Sequence, residues 1–409
     1  MNPIEAVIHT ERDVLDKLEQ RWEQLQKGSL DITVFQQYGW LKNSWEFISS
    51  LEHATPYVVE ITEDNQTIGI VPMYCTIEKF VNLTIRTLKP IGAGHSDYMM
   101  PIFSAKYEPN ELMEIALEAI FKDTANWDCI NWKDVPMNST IDYIFSKQFK
   151  LWTPFIERKQ TAVCPYVNLQ HGMEAVQHNI SKRLLKEVLY KERRLKRKGI
   201  LQYRKVNTKK EIVSIMNRFF TLHYQRWKNT DTPSQFNDPI ARTRVLQAAL
   251  ELFDQQLLYL SYISLDDAIT AVHFGMKDRR RNYLYLHAVN QEYRKYSVGS
   301  LLVYYIIQDS FLEGLETVDF LKGNESFKKR WGAVNRFNVQ YIAYNKTMHS
   351  RLSKKIHMAY YSDDFLQQSK QKQFFTKLGI RLSVYVLRVL RYFKSSSHMH
   401  ESISSSTNS

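Results

Sequence analysis

The sequence predicts an α/β (α+β) chain of two similarly folded halves, each a mixed, mostly antiparallel sheet flanked by helices, with a helical tail behind them. Three observations predict it. At 409 residues the chain exceeds what one ordinary core holds, so two domains are expected. With 44% hydrophobic and 24% charged residues, and only 13 Gly and 11 Pro, it has the composition of a soluble globular chain made of regular elements. That excludes collagen-like, low-complexity and wholly disordered proteins. Third, the order strand, acidic turn, strand, turn, strand, helix, strand occurs twice at an offset near 200 residues, a weak internal repeat without residue-level identity.

In the first copy, residues 11–27 and 40–53 carry helix-compatible apolar spacing. Strands follow at 56–61, 68–77 and 83–91, separated by the turn Glu63-Asp64-Asn65 and ended by Gly92-Ala93-Gly94. A helix at 109–122 and a buried strand at 129–132 complete it. The second copy opens with a basic amphipathic helix over about 176–198, with Gly199 placed as its C-cap. A strand at 200–206 and helices at about 208–227 and 239–254 lead to a meander at 257–264, 269–276 and 283–289. A helix at about 299–313 and a strand at 318–320 end the repeat. The expected domains are 1–165, 166–350 and a basic tail at 351–409, the halves joining around 150–175.

Charge is unevenly spread. The chain has 55 Lys and Arg against 43 Asp and Glu, a net of +12. Residues 181–200 and 365–400 each carry +7, leaving the rest near neutral. Such segments meet phosphates, anionic lipid or nucleic acid, or they are solvated helix faces. In the tail, Lys377, Arg381, Arg388 and Arg391 form one stripe of a helix, opposite Leu378, Leu382, Val386 and Leu390. An amphipathic cationic helix over 370–394 suits an anionic membrane surface, docking on the protein's own body being the alternative. No apolar run reaches the roughly 20 residues of a spanning helix. The start, MNPIEAVIHTERD, lacks the pattern of a signal peptide. Cys75, Cys129 and Cys164 share no metal-ligand spacing, so a reduced cytoplasmic protein without a metal is expected, peripheral to the membrane if the tail binds it.

The richest stretch is 282–332, NYLYLHAVNQEYRKYSVGSLLVYYIIQDSFLEGLETVDFLKGNESFKKRWG. A strand enters a short loop holding Arg294, Ser297 and Gly299, and the loop opens into an apolar helix at Val298, Gly299 and Ser300. Free backbone N–H groups and the positive dipole end make such a helix start a seat for phosphate, to which Arg294 adds a charge-assisted contact. A plain helix cap with a turn glycine is the bland alternative.

The spacing Arg294-x-x-Ser297-x-Gly299 resembles the Arg/Gln-x-x-Gly-x-Gly/Ala pyrophosphate loop of GNAT acyltransferases, with serine for the first glycine. Tyr296-Ser297-Val298-Gly299, Asp319-Phe320, Gly323, Phe327-Lys328 and Trp331 look like the BioF-like acetyltransferase domain of cellulose and exopolysaccharide biosynthesis, a relative of the Fem-type aminoacyltransferases. Phe327 departs from that pattern, which ends in Tyr-Lys. The basic run 181–199 and, in the first half, Trp40, Pro72 and Ser96-Asp97-Tyr98 extend the likeness over roughly residues 30–340.

The resemblance implies tandem GNAT domains and direct transfer from acetyl-CoA or another acyl-CoA to an amine of an amino-sugar or envelope precursor. The CoA would lie along the strand at 283–289, in the second half only. A Fem-like enzyme using aminoacyl-tRNA and a degenerate scaffold for polysaccharide machinery are the other readings. The resemblance makes Arg294, Ser297, Val298, Gly299 and Ser300 the cofactor-binding residues. From the residues themselves, Asp319 in an apolar strand is either paired, with Lys328 as candidate partner, or functional as a base with Lys328 as a cation. His273 and His287, on adjacent strands, are bases or packed core histidines. Tyr285 and Tyr304 are candidate acids. Asp97 and Tyr98 would contact the acceptor, unless their loop is a plain turn.

Overall fold

Stretches dense in β-branched and aromatic residues form the strands, and amphipathic stretches form the helices that cover them. The structure, a computed structural model, describes residues 3–347 apart from 30–31, 52, 81–82 and 231–232, together with 350, 351 and 354. Residues 1–347 form one compact unit. The predicted tail helix at 370–394 lies outside the described residues. No described helix is long and apolar enough to cross a membrane.

The first half runs β1 (Glu5–His9), α1 (Val14–Lys27), α2 (Tyr38–Leu51), β2 (Ala54–Glu63), β3 (Gln66–Phe80), β4 (Leu83–Pro90), β5 (Ile102–Phe103), α3 (Pro109–Lys122), β6 (Cys129–Pro136), α4 (Thr140–Trp152) and β7 (Ile156–Asn168). The second runs α5 (Gly172–Asn179), α6 (Lys182–Lys196), β8 (Leu201–Lys205), α7 (Lys209–Trp227), α8 (Pro239–Asp254), β9 (Leu258–Leu265), β10 (Ala268–Lys277), β11 (Arg281–Val289), α9 (Val298–Leu312), β12 (Thr317–Asp319), α10 (Ser326–Lys329) and β13 (Val334–Tyr344).

The repeat is real at the level of topology. In each half a three-stranded antiparallel meander, β2-β3-β4 or β9-β10-β11, is followed by a helix and a strand parallel to the meander's last member. The final strands are exchanged. β7 leaves the first half and pairs antiparallel with β12, whereas β13 returns to pair antiparallel with β6, and β7 and β13 pair with each other. The halves thus share one sheet, ordered β1-β2-β3-β4-β6-β13-β7-β12-β11-β10-β9-β8. The stretch where the sequence joins the halves is largely β7 itself.

Alternation along the strands builds a core on both faces. Tyr57, Val59 and Ile61 of β2 pack with α3 and α4, while Val58 between them packs with α1 and α2. In the second half, Ala271 faces the layer of α6 and α9, and Val272 and Phe274 face that of α7 and α8.

The helix predicted over 176–198 is two helices. Ile180 leaves helical geometry with ψ 136° and is fully buried, and the Ser181 amide donates to the Arg330 carbonyl at 2.8 Å. Tertiary contacts therefore turn the chain out between α5 and α6. Gly199 does not cap α6, which ends at Lys196 with Arg197 as cap. Its lack of a side chain leaves room for the Asp266 carboxylate, 2.3 Å from where a Cβ would stand. Leu184, Val188 and Leu195 bury the apolar stripe of α6, so most of its basic residues face outward.

Candidate active site

The centre of the second half is a strand edge that loses its neighbour. β11 and β12 run parallel through only three pairs, ending at Tyr283 opposite Asp319, while β11 continues to Val289. Past that level the chain turns away, the Phe320 amide donating to the Pro165 carbonyl of β7 at 2.8 Å. At the same level β11 carries an extra residue. Phe274 faces Leu286 and Met276 faces Tyr283, so Leu284 and Tyr285 together oppose Gly275. This bulge re-aims the backbone of β11 beside the gap. Glycine is required opposite it, because a Cβ at 275 would stand 2.5 Å from the Tyr283 carbonyl oxygen.

Beyond β11, a 3-10 turn at Gln291–Tyr296 leads to Ser297, whose φ of 52° is left-handed. This is the conformation a glycine adopts most readily, in the place where the GNAT loop carries one. The Ser297 amide bonds to Arg294 and the Leu301 amide to Ser297, but the amides of Val298, Gly299 and Ser300 have no acceptor among the described residues. They stand at the start of a 15-residue helix, with the dipole's positive end behind them. The Ser297 hydroxyl does not point to a ligand, since it donates to Glu187 Oε1 of α6 at 2.8 Å. Gly299 lets α9 sit close on β11, because a Cβ there would lie 3.2 Å from Val289 Cγ2.

A cavity of 410 Å³ covers these amides, lined also by Arg294, Arg226 and Trp227. Arg226 closes α7, and its guanidinium lies 4.9 Å from the Trp227 ring centre. Neither Arg226 nor Arg294 forms an ion pair among the described residues, and burial together with the Arg294 charge lowers the Arg226 pKa. Two guanidiniums facing one space with no carboxylate between them are relieved by an incoming anion. The sequence reading missed Arg226. The run His223-Tyr224-Gln225-Arg226-Trp227 at the end of α7 was its only signal.

The groove runs on into a cavity of 480 Å³ that shares Arg226, Trp227, Val289, Gly299 and Ser300. Its walls include Tyr285, His287, Lys328 and, from the first half, Asp97. Asp97 is held by the turn that Gly92 opens with φ 98° and by Ser96, whose Oγ accepts from Trp40 Nε1 at 2.8 Å. Lys322 lies 3.2 Å from the Asp97 carboxylate and 3.1 Å from that of Asp134. Burial pushes the Asp97 pKa up to about 6, against the pull of Lys322. His287 is lowered to about 4 by burial and by the Arg226 charge. Tyr285 is raised to about 12 by burial.

The remaining candidates lie elsewhere. Asp319 is wholly buried and lines neither cavity of the groove. Its partner is not Lys328. Its carboxylate accepts from Tyr98 Oη at 2.7 Å and the Leu321 amide at 2.8 Å, with Arg336 Nη1 at 3.3 Å. Lys328 instead donates to the Leu321, Lys322 and Gly323 carbonyls at 3.2, 3.0 and 3.3 Å and pairs with Glu325 at 2.9 Å, clasping the loop that follows β12. A backbone acceptor is available three times within its reach, whereas Asp319 is filled from the other side. His273 stacks edge-on against His287 at 4.6 Å, lines neither cavity and has no hydrogen-bond partner for either ring nitrogen among the described residues. Burial and the neighbouring His287 hold it well below the usual histidine range. The Tyr98 hydroxyl is spent on Asp319, and that of Tyr304 accepts from Gln177 Nε2 at 3.2 Å, outside the groove.

The comparisons agree with this geometry. Residues 182–329 match the acetyltransferase (GNAT) domain family. Among solved structures, FemX is 11% identical, with 86% of this chain and 99% of that chain covered and a TM-score of 0.55. A conserved protein of unknown function from Bacteroides thetaiotaomicron is 11% identical, with 83% and 100% covered and a TM-score of 0.53. No curated protein matches the chain. With the open strand edge, the bulge and the amide-lined helix start all inside the matched stretch, the chain carries a GNAT-type N-acyltransferase domain at 182–329.

Proposed function

We propose that the protein moves an acyl group, acetyl in the simplest case, from an acyl-CoA to an amine of an amino-sugar or envelope precursor. The observation that carries this reading is the row of unengaged amides at Val298, Gly299 and Ser300 beneath Arg226 and Arg294. These groups would hold the pyrophosphate. The open edge of β11 would pair with the extended pantetheine arm, as an added strand does. The thioester, which supplies the activated acyl carbon, would then end in the 480 Å³ cavity beside the bulge.

In this reading Asp97 takes a proton from the acceptor ammonium, its raised pKa suiting it to work near neutrality. A bulge amide of β11 holds the oxygen that gains charge during attack. As the new C–N bond displaces the C–S bond, the Tyr285 hydroxyl gives its proton to the departing thiolate and regains one from the attacking nitrogen. His287, neutral at pH 7, orients the acyl group, and Lys328 fixes the loop wall of the cavity. The BioF-like resemblance supports a polysaccharide or envelope acceptor, and the tail supports an approach to anionic membrane. Domains at 1–165 and 166–350 remain our division of the chain.

The test is thiol release from acetyl-CoA by the full chain with glucosamine as amine acceptor. Acceptor-dependent release that survives RNase fits the proposal. Transfer from charged tRNA, abolished by RNase, would favour the Fem-like reading, and inactivity with either donor would favour a scaffold.

A further inference from the structure

Asp97 faces the groove, but its neighbour Tyr98 lines a separate cavity of 350 Å³ that shares no lining residue with it. Two guanidiniums reach this second cavity, from Arg281 at the start of β11 and from Arg336 in β13. Arg336 lies 3.3 Å from Asp319 and 4.5 Å from the Tyr166 ring centre. Arg281 forms no ion pair among the described residues, and the Asp319 carboxylate is already engaged by Tyr98, Leu321 and Arg336. The Asp278 and Asp319 charges both act on Arg281, yet no carboxylate lines the cavity, whose charged lining is the two arginines.

The opposite wall is the start of α4, at Ser139, Thr140 and Ile141. The Ser139 Oγ accepts from the Asp142 amide at 3.1 Å, and the Asp142 carboxylate accepts from the Asn138 amide at 2.8 Å. The amides of Thr140 and Ile141 have no acceptor among the described residues. We infer that this cavity is an oxyanion site that takes the phosphoryl group of a small molecule. Forked guanidiniums on one side and helix amides on the other match the several oxygens of that group. The volume exceeds that of a bare ion, leaving room for the molecule that bears it.

Isothermal titration of the full chain with inorganic pyrophosphate tests this separately from the acyl-CoA reading. Two sites are expected in the wild type. Arg281→Gln should weaken one of them on the order of tenfold, and Arg294→Gln should weaken the other. Thr140→Glu is a second variant, since a carboxylate in the first turn of a helix favours the fold while it repels an anion. It should mimic Arg281→Gln. Wild-type titrations for both Arg281→Gln and Thr140→Glu would overturn the inference. A site lost in those variants, with Arg294→Gln unchanged, would uphold it and count against the CoA cradle instead.

Discussion

Asp97→Asn is expected to lower kcat by about 10²–10⁴, the range for loss of a positioned base, with CoA affinity unchanged. The side chain lines the 480 Å³ cavity but not the one over the amide cradle, and it is contributed by the other half of the chain. The fold should tolerate the change, because Lys322 keeps Asp134 at 3.1 Å and the Ser96 carbonyl at 3.0 Å. The pH profile gives the sharper reading. With the carboxyl at about 6, the ionised, proton-accepting form appears as pH rises through that value. The wild-type rate should climb with a midpoint near pH 6, and the residual rate of the variant should lose that limb. Stability should move the other way. A carboxyl raised above its ordinary value of 3.8 contributes stability that is full below about pH 4 and lost by about pH 6. Asp97→Asn should therefore remove that fall in an unfolding titration run across pH. A wild-type rate in the variant would remove Asp97 from the chemistry.

Arg226→Gln combined with Arg294→Gln should weaken CoA binding by about 3 kcal/mol, roughly 100-fold, from two charge-assisted contacts at about 1.5 kcal/mol or more each. The free variant should fold at least as well as the wild type, because the two cations repel across a shared cavity with no carboxylate between them. That pairing of weaker binding with retained stability separates a ligand site from a structural one. The wild-type affinity should also fall with added salt more steeply than that of the variant. Equal affinities would show that the phosphates lie elsewhere.

Much of the second half was legible because its signals are local. The meander, the apolar helix and the loop Arg294–Gly299 each declare themselves within a dozen residues, and among the described residues the amides of Val298, Gly299 and Ser300 find no acceptor. What failed was non-local. Ile180 and Ser181 sit in a helical pattern, but burial of one and the Arg330 carbonyl on the other break the helix. The Asp319–Lys328 pairing looked natural at nine residues apart, yet Tyr98 reaches Asp319 from 221 positions away. The exchange of β7 and β13 leaves no trace in composition, because either strand could complete either half. Arg226 escaped for the same reason. Apart from the run His223–Trp227, nothing near it in sequence marks the groove, which exists only once α7 packs against β11.

The central claim is that unengaged amides and two arginines at the start of α9 seat the pyrophosphate of an acyl-CoA. Titrating the full chain in parallel with CoA and with pantetheine, which carries the same arm and thiol without the pyrophosphate, tests it most directly. The account predicts that CoA binds and that pantetheine binds weaker by at least about 100-fold, as two lost charge-assisted contacts require. Equal affinities, or no binding of CoA at all, would contradict it.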